Sequence, residues 1–142
     1  MEHQIIREIH CLDTRIAREL EKLSVAQEVC NVTGGNSRII TFLAEHEHED
    51  IYQKDIEKAF GTTRSTASRV LALMEQKGLI ERRGVAHDAR LKKVTLTDRS
   101  RALGAAMLDA CASVDKKLLS GFTQHEIETL YHLLLRMQKN LE

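Results

Sequence analysis

The sequence predicts a mainly α-helical chain with one small β-hairpin, and three observations predict it. Within residues 52–77, apolar residues recur at three- and four-residue spacing on either side of Gly61-Thr62-Thr63, the pattern of two short helices around a turn. Residues 79–97 then switch to a period of two around a basic tip, the pattern of a hairpin. Helix, turn, helix and hairpin in that order make a winged helix-turn-helix. Long apolar stripes at both chain ends add helices that a unit of that size could not cover by itself.

In chain order, Ile5, Ile9, Leu12, Ile16, Leu20 and Leu23 mark one face of a long first helix, broken from the next at Gly34-Gly35-Asn36. The next helix runs from Ser37 to about His46. Tyr52, Ile56, Ala59 and Phe60 form the apolar face of a short helix stopped by Gly61. Thr63 can cap the following helix, because its hydroxyl accepts a backbone N–H that has no partner within the first turn. That helix runs from Arg64 to about Lys77 and stops at Gly78. Ala67, Val70, Leu71 and Met74 fall on its core face; Ser65, Ser68, Arg69 and Gln76 fall on the other, with Arg64 at the flank. Residues 79–83 and 93–97 pair as the hairpin, with Gly84 to Lys92 as its tip. Thr97 caps a further helix to about Ser120. After a break at Gly121-Phe122, Thr123 and Glu126 form a capping box for a last helix, whose stripe is Ile127, Leu130, Leu134, Met137 and Leu141.

The 142 residues are enough for one domain with a true core, and 21 basic residues balance 21 acidic ones. That neutrality hides a segregation. Between Thr63 and Lys93 stand eight Lys or Arg and three acids (Glu75, Glu81 and Asp88), an excess of five positive charges that the rest of the chain cancels. A local basic face is the electrostatic footprint expected of a phosphate-binding surface. A winged unit of this kind sends its second helix into a DNA major groove and its hairpin to the neighbouring minor groove. Ser65, Thr66, Ser68 and Arg69 are the groove candidates, Arg69 being best equipped for a guanine, and Thr63 at the helix start joins them in the DNA-binding set. Arg64, Arg82, Lys92 and Lys93 are expected to hold phosphates, which fixes register without reading sequence.

The segment Gly61 to Arg69, then Lys77-Gly78-Leu79-Ile80-Glu81-Arg82, Asp88-Ala89-Arg90 and Val94-Thr95-Leu96-Thr97 resembles the MarR family of bacterial transcription regulators, in the family's order and spacing. The resemblance extends weakly across the whole chain. It implies that Arg90 enters a minor groove with Asp88 steadying it, which agrees with the attraction of a guanidinium to a narrow groove. It also implies a homodimer, most often a repressor, and a ligand pocket between the dimer helices and the DNA-binding lobe. Residues 1–142 are then a single domain: 1–34 and 98–142 dimerisation helices, 35–97 the DNA-binding lobe. Ile5, Ile9, Leu12, Ile16, Ile127, Leu130, Leu134, Met137 and Leu141 are the candidate interface. The expected partners are a double-stranded DNA operator, a second copy and a small-molecule effector of open identity.

The alternative is a winged-helix module that recruits a protein and reads no DNA. No nucleophile with its base, phosphate loop or closed ligand set supports an enzyme, so no catalytic residue, metal or cofactor is expected. The acidic run Glu45-His46-Glu47-His48-Glu49-Asp50 invites zinc but offers no partner spaced to complete a tetrahedron. Cys11, Cys30 and Cys111 form no CxxC and are odd in number, which suits reduced thiols in a cytoplasmic protein. Cys11 is expected as a small buried hydrophobe, although members of the resembled family sense peroxides or zinc. The amino terminus is too charged for a signal peptide, and no run of about 18 apolar residues suggests a membrane span.

Overall fold

The computed structural model describes residues 2–34 and 36–142, so Gly35 of the predicted Gly34-Gly35-Asn36 break lies outside it. Seven helices and one antiparallel hairpin follow in the order α1 (Glu2–Glu21), α2 (Ser24–Thr33), α3 (Ser37–Glu45), α4 (Gln53–Phe60), α5 (Arg64–Gln76), β1 (Ile80–Val85), β2 (Asp88–Leu96), α6 (Asp98–Leu118) and α7 (Gln124–Lys139). Among the described residues no helix is long and apolar enough to cross a membrane.

The local signals fix most boundaries. The hydroxyls of Thr63, Thr97 and Thr123 accept the N–H of Thr66, Ser100 and Glu126, so each threonine starts the helix it precedes. Gly34 and Gly61 take the left-handed conformation at the ends of α2 and α4. The predicted long first helix is instead two. Leu23, expected on its stripe, is extended and opens α2. No Gly or Pro marks that break; it comes where the chain turns so that Ala26, Val29 and Thr33 of α2 can be buried.

Ile40, Leu43, Ile51, Ile56, Leu71, Met74, Leu79, Ile80, Val94 and Leu96 form the buried core beneath α3, α4, α5 and the hairpin. Ala59 and Phe60, expected on the core face of α4, are exposed; the last turn of α4 runs past the core, and Phe60 leans edge-on against Phe42 with ring centres 5.6 Å apart. The core is tied to the chain ends through α6. Gly104 lies where α6 crosses α3, and a Cβ there would stand 2.8 Å from the Cβ of Ala44. Ser100 is fully buried, and its hydroxyl donates to the Leu79 carbonyl. α7 has no buried residue.

Candidate nucleic-acid interface

Helix α5 buries Ala67, Leu71 and Met74 and leaves Arg64, Ser65, Ser68, Arg69 and Gln76 exposed, as its periodicity requires. Its first turn is a hydroxyl cluster. Thr63 Oγ1 lies 3.2 Å from Ser65 Oγ and 3.0 Å from Thr66 Oγ1, and Thr66 is half-buried, so Thr66 stiffens the turn while Ser65 and Ser68 stay open. Leu73, one turn beyond Arg69, is also exposed, off the core face of the helix.

The wing is tighter than the predicted nine-residue tip. Val85 pairs with Asp88 around a two-residue turn, Gly84 pairs with Lys92, and Ala89, Arg90 and Leu91 bulge out of β2 between those pairs. The cause is local: the Asp88 carboxylate accepts the Arg90 backbone N–H at 2.9 Å. Asp88 therefore steadies Arg90 through its main chain, leaving the exposed guanidinium free to reach outward.

Helix and wing face each other across a cleft of about 380 Å³. Lys54, Arg64, Arg82, Arg90 and Lys92 line it against one carboxylate, Glu57, with Ser68 and Gln53 between. The Gln53 amide donates to Glu57 at 2.9 Å and to the Arg64 carbonyl at 3.4 Å, which fixes α4 against the start of α5. Lys54 was not legible from spacing; it belongs here because α4 opens at the cleft.

Two expected phosphate holders are differently engaged. Arg82 donates Nε and Nη2 to Glu75 at 3.0 and 2.8 Å, its backbone N–H donates to the same carboxylate, and its side chain is 17% exposed. The Arg82 bonds hold the Glu75 carboxyl below its ordinary value despite some desolvation. Lys93 points to the opposite face of the hairpin with Glu81 and Arg83, because successive strand residues alternate, and it reaches Asp50 of the acidic loop. Among the described residues no ion pair engages Arg64, Arg69, Arg90 or Lys92.

The interface thus combines an open helix face, a stiff hydroxyl-capped start and a wing arginine presented by a bulge. Residues 31–91 match the family model described as MarR family. Over nearly its whole length the chain is also similar to solved MarR-type regulators. It is 25% identical to the transcription regulator MarR from Oenococcus oeni PSU-1, covering 97% of this chain and 98% of that one with a TM-score of 0.71. It is 26% identical to S. aureus MepR in its DNA-binding conformation (100% and 99% covered, TM-score 0.75) and in its DNA complex (100% and 99%, TM-score 0.71).

The chain is similar to the MarR family of transcription regulators over residues 31–91. Its winged helix is the one those regulators share, and the matched residues run from the end of α2 into the wing, taking in every residue that lines the cleft except Lys92. The other sequence candidates are dispersed. Among the described residues no group of three or more His, Cys, Asp or Glu side chains is arranged to hold a metal. In the acidic run, His46 bonds the Phe42 carbonyl at 2.8 Å, Glu47 pairs with Arg101 and Asp50 with Lys93. Cys11, expected to be buried, is exposed on α1; Arg7, Arg15 and Arg18 stand around it, with Arg7 paired to Glu8.

Proposed function

We propose that this regulator acts as a homodimer that binds a pseudo-palindromic operator and represses from it, releasing DNA when a small molecule binds between the terminal helices and the reading lobe. The observation that carries the reading is the convergence of Arg64, Arg90 and Lys92, none of them ion-paired among the described residues, on one cleft beside the open face of α5. Ser65, Ser68 and Arg69 read base edges; Arg90 lies in the minor groove; Arg64, Lys92 and Lys54 hold phosphates. Thr63 and Thr66 keep the helix start rigid. Arg82 props the wing through Glu75, and Lys93 braces its outer face, so neither is asked to bind DNA. The apolar faces of α1 and α7 meet their counterparts in the second copy and set two reading helices about one helical turn of DNA apart.

The experiment is selection of binding sites from random duplexes, followed by footprinting on the gene's own promoter at two salt concentrations. Recovery of an inverted repeat with half-sites about 10 base pairs apart, bound more weakly at high salt, is the expected outcome. Enrichment of no sequence, with salt-insensitive binding, would instead favour a protein-recruiting module.

A further inference from the structure

Leu73 on α5 is 48% exposed and stands clear of the core that Val70, on the same helix, packs against. Among the described residues Phe60 and Leu73 are the exposed large apolar side chains of residues 36–97; the others stand on α1 or lie from Leu118 onward. Phe60 leans on Phe42, whereas Leu73 belongs to the open face of α5. It falls about 40° from Arg69 around the helix and about 6 Å further along it. Its neighbours on that face, Ser65, Ser68 and Ala72, are exposed and small. A helix whose outward residues are that short lies close to whatever it docks on, so a leucine touches the surface that a longer arginine meets.

Leu73 and Arg69 side by side require a surface that is apolar at one point and accepts hydrogen bonds a few ångströms away. Among the described residues no ion pair engages Arg69, so a protein helix laid over Leu73 would bury that guanidinium unpaired unless it carried a carboxylate to the same spot. A DNA major groove supplies both needs: guanine presents N7 and O6 as acceptors, and thymine presents its C5 methyl. We propose that Leu73 is a specificity-determining residue, reading the methyl of a thymine about two base pairs from the guanine that Arg69 meets. The contact rests on the DNA-binding reading above.

The preference for thymine follows from what the other bases offer at that place. Cytosine shows a bare C5–H beside its N4 donor, and the purines show N7 with O6 or N6. A leucine against any of these strips water from a polar edge and returns no bond, whereas against the methyl it removes apolar surface from water. One methyl covered in this way is worth about four-fold in affinity per half-site, which compounds to about sixteen-fold over the two half-sites of a palindrome.

The probe is the operator recovered by site selection, resynthesised with each thymine of both half-sites replaced in turn by deoxyuridine, which lacks only the methyl. The full chain should lose about sixteen-fold in affinity at one symmetric pair of positions, within about two base pairs of the position that Arg69→Ala relaxes. Leu73→Ala, whose side chain lies outside the core, should keep the wild-type thermal melt and bind the thymine operator more weakly. It should also bind the thymine and deoxyuridine versions of that pair equally, while matching wild type at every other thymine. A wild type indifferent to every methyl overturns the proposal. So does a methyl penalty that survives in Leu73→Ala, since it then belongs to another side chain or to the stiffness of the duplex. A variant with unchanged affinity for every duplex and altered sedimentation would give the face to a protein contact, and overturns it too. Selection that recovers no sequence defeats the DNA reading and the contact together; an operator on which Leu73 is silent defeats the contact alone.

Discussion

Arg69, Lys92 and Arg82 carry the same charge within one small lobe, and their surroundings give them different work. Arg69 stands on the open face of α5, where a guanidinium can donate two parallel bonds to a guanine edge. Its replacement by alanine should cost about 1 to 3 kcal/mol on the operator and relax discrimination at one base pair per half-site. Lys92 lines the cleft, and a phosphate contact is blind to sequence. Lys92→Ala should weaken operator and scrambled duplexes alike and flatten the log–log salt slope by roughly one unit per contact removed, doubled in a dimer. Binding isotherms on both duplexes at several salt concentrations separate the two; identical specificity ratios and slopes would remove the distinction between reading and holding. The charges themselves were legible in the sequence because Lys and Arg cluster between Thr63 and Lys93. Their partners were not. Arg82 meets Glu75 only through the packing of β1 on α5, and Lys93 meets Asp50 across 43 residues, distances over which periodicity says nothing.

Elements were legible where the causal contact is short. The three threonine caps each span three residues and could be read directly, whereas the division of α1 from α2 at Leu23 depends on packing against α6 and leaves no Gly or Pro behind. The wing tip shows the same limit: alternation found the strands, but the register followed from one Asp88 carboxylate bonding two residues ahead. Two element-scale contacts yield tests. At the α3–α6 crossing, Gly104→Ala forces a methyl to within 2.8 Å of Ala44, and the helices must separate, at a cost of about 1 to 3 kcal/mol read from denaturant unfolding; unchanged stability would show that the crossing tolerates the shift. At the α5–β1 contact the Glu75 carboxyl titrates below its ordinary value of 4.5, with the Arg82 bonds as the leading cause. A depressed folded value means that the pair's stabilisation is complete above about pH 4.5 and is lost as pH falls through the folded value. Glu75→Gln should therefore melt at a lower temperature than wild type near neutrality and lose less on going from about pH 6 to about pH 3. Parallel pH profiles for the two proteins would assign the acid sensitivity to other carboxylates. Glu19, lowered to about 2 by hydrogen bonds from Lys117 and Lys22, is the first of these.

At the scale of the whole molecule, the protomer leaves its two ends unfinished. Leu12 on α1 is 45% exposed and Leu134 on α7 is 43% exposed, and Ile5, Ile9, Leu130 and Met137 share their condition. The exposed apolar set on α7 is wider than the stripe read from spacing, since Tyr131, Leu133 and Leu135 join it. A helix with a broad apolar face that buries none of it in its own protomer is suited to lie against other helices, and the second copy proposed above supplies them. The thermodynamic consequence is specific. Placing charges in that seam strands them without partners, at several kcal/mol per site, while the reading lobe keeps its separate core of Ile40, Leu71, Met74 and Val94. Leu130→Lys with Leu134→Lys should thus sediment as a monomer at micromolar concentration and retain the far-ultraviolet signature of α3 to α6. Because a single reading unit holds only one half-site, the same variant should lose most operator affinity yet keep weak, salt-sensitive binding to random duplex. A wild-type chain that sediments as a monomer would defeat the proposed dimer, and a double variant that still binds the full operator as tightly as wild type would show that the paired reading helices are not held together by α7.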